Sequence, residues 1–148
     1  MNELLKKFNM GDAKEMKTPM HSTTYLGLDE ESKKMGGTQY RAMIRFLLCL
    51  TASKLDIMFS VCLCERFHKE PREVHVNDIK GIFRYLISTP NLCHCFKRGK
   101  DFKLSSYCDA NYAGDKLERK STSRSCLFIG GNLVTWIFKN QGSVAFHR

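Results

Sequence analysis

Seven cysteines and five histidines are the residues of this chain with the widest chemical repertoire. Two Cys-x-Cys pairs stand out, Cys62/Cys64 and Cys93/Cys95, with His68, His75 and His94 close by in sequence. A zinc site wants Cys-x-x-Cys or wider spacing, because neighbouring ligands must converge on one tetrahedron. The pairs are therefore expected to be incidental thiols, with no metal and no other cofactor. Seven is odd, so an oxidising compartment would leave at least one thiol free or paired between chains; reduced, such side chains behave as small buried hydrophobes. A second chemistry is electrostatic. Lys97, Arg98, Lys100, Lys103, Lys116, Arg119, Lys120 and Arg124 crowd one stretch, and no Asp or Glu follows Glu118. Contacts of that kind hold phosphates without sequence specificity. Tyr107, Tyr112 and Trp136 offer rings that could stack on bases, although sheet packing is the plainer use of them.

The elements that must carry these residues divide at about residue 100. Along the first part the apolar residues recur at helical spacing. Thr38 is placed to cap a helix bearing Tyr40, Met43, Ile44, Leu47, Leu48 and Thr51, and a second stripe runs through Ile57, Val61, Cys64 and Phe67. Pro71 suits the opening turn of a third, with Val76, Ile79, Phe83 and Leu86, and Pro90 ends it. Glu3 to Phe8 reads as the close of another helix, and residues 12–37 as an extended connection around Pro19 and Gly36-Gly37. In the second part the period shortens. Leu92–Phe96 and Phe102–Cys108 are strand candidates, Asp109–Ser123 reads as a polar connection, and Ser125–Ile129 and Asn132–Ile137 flank Gly130-Gly131 as a hairpin. The expected class is α+β: a small helical region over 1–99, then antiparallel strands over 100–148.

With 148 residues, 43% apolar, the chain has the material for a core. Its 24 Lys and Arg against 15 Asp and Glu give +9, a charge that favours a polyanionic partner. The opening residues Met1–Phe8 are charged every few positions, so no secretory signal is legible there, and no apolar run of about 20 residues is available to span a membrane.

Several segments together resemble the Pol polyprotein of copia-type retrotransposons. Leu4–Met10 through Thr18-Pro19-Met20 is similar to the family's reverse transcriptase just after the palm. Tyr40-Arg41-Ala42-Met43-Ile44, Leu50-Thr51-Ala52-Ser53, Asp56-Ile57 and Arg84-Tyr85-Leu86 are similar to the helices that follow. Tyr107-Cys108-Asp109-Ala110-Asn111-Tyr112-Ala113-Gly114-Asp115, Lys120-Ser121-Thr122-Ser123 and Trp136 look like the opening of its RNase H domain. The resemblance implies a reverse transcriptase C-terminal remnant followed by the first three strands of an RNase H-like sheet.

It also implies which chemistry to look for. Reverse transcription uses adjacent aspartates to hold two metal ions, and this sequence contains no Asp-Asp pair. RNase H sites gather about four carboxylates around two cations. By the resemblance Asp109 is the first of them, and the second would be a Glu just beyond the segment that here reads Lys139-Asn140-Gln141-Gly142-Ser143-Val144-Ala145. No acid occurs there. Asn111 stands for an acid of the family's Asp-Ala-Asp, Arg45-Phe46 for a Gly-Ser pair, Leu55 for a Pro, and Arg124 for a Gly. The expectation is a non-enzyme, with Asp109 a relic. An incomplete sheet would present Leu127, Ile129, Val134 and Trp136 to water, so this region is expected to pack on other surfaces, self-associate or remain poorly ordered.

Chains of this ancestry also resemble secreted RxLR-type effectors, proteins that a filamentous pathogen delivers into host cells. Arg45-Phe46-Leu47-Leu48 is an incomplete form of the Arg-x-Leu-Arg element, and Glu65-Arg66 a fragment of the acidic element that follows it. That resemblance implies secretion, action in the host nucleus or cytoplasm, and a host protein as partner. The alternatives are an intracellular fragment retaining non-specific nucleic-acid binding, or no function. Leu47 and Leu48 also fall on the core stripe of their helix, the structural use of the same residues.

Overall fold

Two glycines open the first helix in the computed structural model, which describes residues 8, 10, 14–20, 31–92, 95–98, 102–115 and 119–144. Gly36 is the N-cap and helix α1 runs Gly37–Leu50, burying Tyr40, Met43, Ile44 and Leu47 along one face. The expected cap, Thr38, lies inside the helix, which begins one residue earlier behind the extended backbone of Gly36. A turn of 3-10 helix, Leu55–Ile57, leads into α2, Met58–Glu65, and α3 follows as Glu73–Ser88. The second apolar stripe is therefore spread over the 3-10 turn (Ile57), α2 (Val61 and Cys64) and the turn that follows it (Phe67). Arg72 caps α3, and the His75 ring nitrogen Nδ1 accepts the Arg72 backbone N–H at 3.1 Å, a reciprocal cap three residues in.

The chain forms two compact units, Met1–Leu92 and Cys93–Arg148. In the first, the three helices enclose Leu47, Ile57, Val61, Ile79, Ile82 and Phe83, all at 0% exposure. Each such side chain stabilises the fold by about 1.5–3 kcal/mol relative to exposure. Polar bonds then fix how the helices pack. The Tyr40 hydroxyl donates to the Cys64 carbonyl at 2.7 Å, a second bond beside the Phe67 N–H at 3.1 Å, and so ties α1 to the C-terminal end of α2. The Tyr85 hydroxyl donates to Asp56 at 2.7 Å, and Lys54 Nζ donates to the Thr89 carbonyl, so the 3-10 turn is fastened to the end of α3. Burial first, then the Asp56 bond, pushes the Tyr85 hydroxyl up to about 12. Two extended segments strap this unit. Residues 32–35 pair with 70–73 through Met35 N–H to Pro71 O at 2.9 Å and Glu73 N–H to Lys33 O at 3.0 Å, with Lys34 ion-paired to Glu70. Met16 lies against α3, its carbonyl accepting from the Ser88 hydroxyl at 2.7 Å.

The second unit is a three-stranded antiparallel sheet of β1, Leu104–Asp115, β2, Lys120–Ile129, and β3, Asn132–Val144, in the order β1-β2-β3. The class is α+β, as the sequence indicates. Gly130 and Gly131 turn β2 into β3 with φ of 57° and 77°, the left-handed pair that a two-residue hairpin requires. Three expectations need correction. Leu92, Cys95 and Phe96 are not in a strand, and positions 93–94 lie outside the described residues. The polar stretch from Asp109 is not a connection: β1 continues to Asp115 and β2 begins at Lys120. β3 extends well past Ile137. Ladder bonding is indifferent to side-chain polarity, so strands exposed to water continue where hydrophobic alternation has already ended. The expected helical end before Gly11 lies, apart from Phe8 and Met10, outside the described residues.

Candidate contact surfaces

Cross-strand register defines two faces of the sheet, since residues directly opposite one another point the same way. One face carries Tyr107 opposite Cys126 and Trp136, then Asp109 opposite Arg124 and Phe138, then Asn111 opposite Thr122 and Asn140. Tyr107 meets Phe128 edge-on at 5.8 Å between ring centroids. This face is aromatic at one end and polar at the other. Tyr107 is 64% exposed and Trp136 38%, so large rings meet water. The opposite face carries Ser106, Leu127 and Thr135, with Cys108, Ser125 and Ile137 beside them.

Asp109 is exposed in β1. Its cross-strand neighbour is the cation of Arg124, not another carboxylate. The nearest acid along the strand, Asp115, is 6% exposed and accepts from Asn140 Nδ2 at 3.0 Å, which ties β1 to β3 across the buried Thr122. Between them β1 bulges. Ala113 has φ of 50°, and a Cβ on Gly114 would stand 2.7 Å from Thr122 Oγ1 and 2.9 Å from Asn111 Nδ2. Gly114 is there because the strands touch at that point. Asp115 was visible in the Ala-Gly-Asp triplet, but its structural duty depends on Asn140, which no local pattern links to it.

The basic residues among those described do not converge. Lys97 N–H and carbonyl bond the Asn132 side chain at 2.7 and 2.8 Å, and the Lys103 carbonyl accepts the Gly130 N–H at 3.0 Å, so Lys97, Arg98 and Lys103 collect at the glycine-turn end. Arg119 and Lys120 lie at the other end of β2, about 30 Å away at strand rise. Arg124 lies between them on the aromatic face. Lys100 and Lys116 lie outside the described residues.

In the helical unit, the Arg-x-Leu-like residues divide by face. Arg45 is exposed, Phe46 stacks on Phe83 at 6.1 Å, Leu47 is fully buried and Leu48 half-buried. Glu65 is exposed at the end of α2, and Arg66 caps it. Cys64 is buried, and burial pushes its thiol well above the ordinary range; Cys62 is half-buried and shifted the same way for the same reason. Cys95 is exposed, while Cys93 and His94 lie outside the described residues. His75 is buried with its ring stacked on Phe67 at 3.9 Å. Among the described residues no three of His, Cys, Asp and Glu are grouped to hold a metal ion. The sequence reading passed over Asp78, a half-buried carboxyl on α3 that desolvation raises to about 6. Its spacing on the helix gives no sign of this, because the burial comes from neighbouring helices.

No helix among the described residues is long and apolar enough to cross a membrane. No family model matches the chain, and no solved structure does. Curated relatives do. The chain is 34% identical over 142 residues to the retrovirus-related Pol polyprotein from transposon RE1 of Arabidopsis thaliana, which covers 96% of this chain and 10% of that one. It is 32% identical over 152 residues to the corresponding polyprotein from transposon TNT 1-94 of Nicotiana tabacum, covering 98% of this chain and 11% of that one. A protein named secreted RxLR effector protein 161, of Plasmopara viticola, is 34% identical over 102 residues, 69% of this chain and 70% of its own length. The chain thus spans about a tenth of the Pol polyproteins it matches. An alignment running through both the helical unit and the sheet makes this chain a homologue of one segment of retrovirus-related transposon Pol polyproteins.

Proposed function

We propose that this chain derives from a copia-type Pol and acts by contact, not catalysis, as a secreted RxLR-type effector that binds a host protein and alters host cell death or immunity. On this reading residues 1–99 are a reverse transcriptase remnant and 100–148 the opening of an RNase H-like sheet. The observation that carries the non-catalytic part is the register of Asp109. It pairs across the strands with Arg124, and no described residue of β2 or β3 is an acid, so no cluster of carboxylates forms around it there. The contact part is supported by the exposed rings of Tyr107 and Trp136, and the effector part by the relative of that name. Arg45 is the member of its motif available to solvent, since Leu47 serves the core. The test is expression in host cells, scored for cell death with and without an elicitor. The reading expects an altered response that the Tyr107→Ser/Trp136→Ser double variant loses while the helical unit stays folded. An unaltered response with the intact chain contradicts it.

A second reading has one observation in its favour: Arg124 lies among Tyr107, Trp136 and Phe138, a combination of cation and rings suited to single-stranded nucleic acid. It expects binding to generic RNA or DNA that weakens steeply with salt. The separation of Lys97, Arg98 and Lys103 from Arg119 and Lys120, at the two ends of β2, speaks for the protein contact first.

A further inference from the structure

We draw no further inference here: the strongest candidate, the exposed aromatic face of the three-stranded sheet around Tyr107, Phe128 and Trp136, belongs to the surface already described, and nothing in the structure shows what covers it.

Discussion

The helical unit and the sheet unit are held together by different forces. Every buried apolar side chain among the described residues, from Phe8 to Leu86, belongs to Met1–Leu92. In Cys93–Arg148 the buried residues among those described are Asp115 and Thr122, both polar. The first unit is specified by what it hides from water. The second is specified by ladder hydrogen bonds, a glycine turn and the Asp115–Asn140 clasp, with Val134, Trp136 and Ile137 left exposed. Three long strands thus pair in register while contributing almost no interior of their own. Such a sheet keeps its shape through directional bonds, and its rings remain available to a partner.

Substitutions can break that contrast or sharpen it. Leu47→Ala empties a fully buried position in α1 and is expected to cost the helical unit about 2–5 kcal/mol in chemical denaturation. Trp136→Ala, at a half-exposed ring, is expected to cost less than about 1 kcal/mol in the same measurement. Comparable losses from both would mean that the sheet has a buried core after all. Next in size is Gly114→Ala, whose methyl would enter the space of Thr122 and Asn111; a loss of about 1–3 kcal/mol should appear as faster amide exchange in β1 and β2 with α1 to α3 unchanged. Tyr40→Phe removes the bond to the Cys64 carbonyl, which keeps the Phe67 N–H at 3.1 Å, so about 1 kcal/mol is expected in denaturant midpoint.

A pH-dependent effect belongs to Asp78. Desolvation raises its carboxyl from 3.8 to about 6, so its pKa in the fold lies above that in the unfolded chain. The fold therefore prefers the protonated form. Ionised Asp78 opposes folding above about pH 6, and acidification from about 6 towards 4 relieves that opposition. Asp78→Asn should be more stable than the parent near pH 7, with the advantage fading across that window. An equal offset at every pH would show that the carboxyl does not titrate with folding.

The sequence was most legible where burial and periodicity coincide. Tyr40, Met43, Ile44 and Leu47 form a face of α1, and Ile79, Phe83 and Leu86 a face of α3, because a helix packed on one side must repeat its apolar residues every three or four positions. Val76, read from the same stripe, is only half-buried. Gly130-Gly131 announced the hairpin since its backbone conformation is one that few other residues tolerate. The lengths of β1 and β3 were not legible, as residues such as Asn111 and Asn140 join the sheet through their backbones. Of the candidate site, the composition indicated few acids near Asp109, but not that Arg124 stands opposite it. That is a matter of register. The division of the cations between the two ends of β2 was hidden for the same reason, because closeness in sequence along a strand is distance in space.

The account rests most heavily on Asp109 lacking carboxylate company. Purified chain, without added subunits, should be incubated with an RNA–DNA hybrid in magnesium and then in manganese, and the RNA strand followed. The account predicts an intact strand in both, with no difference between the parent and Asp109→Asn. Cleavage by the parent that Asp109→Asn abolishes would contradict it.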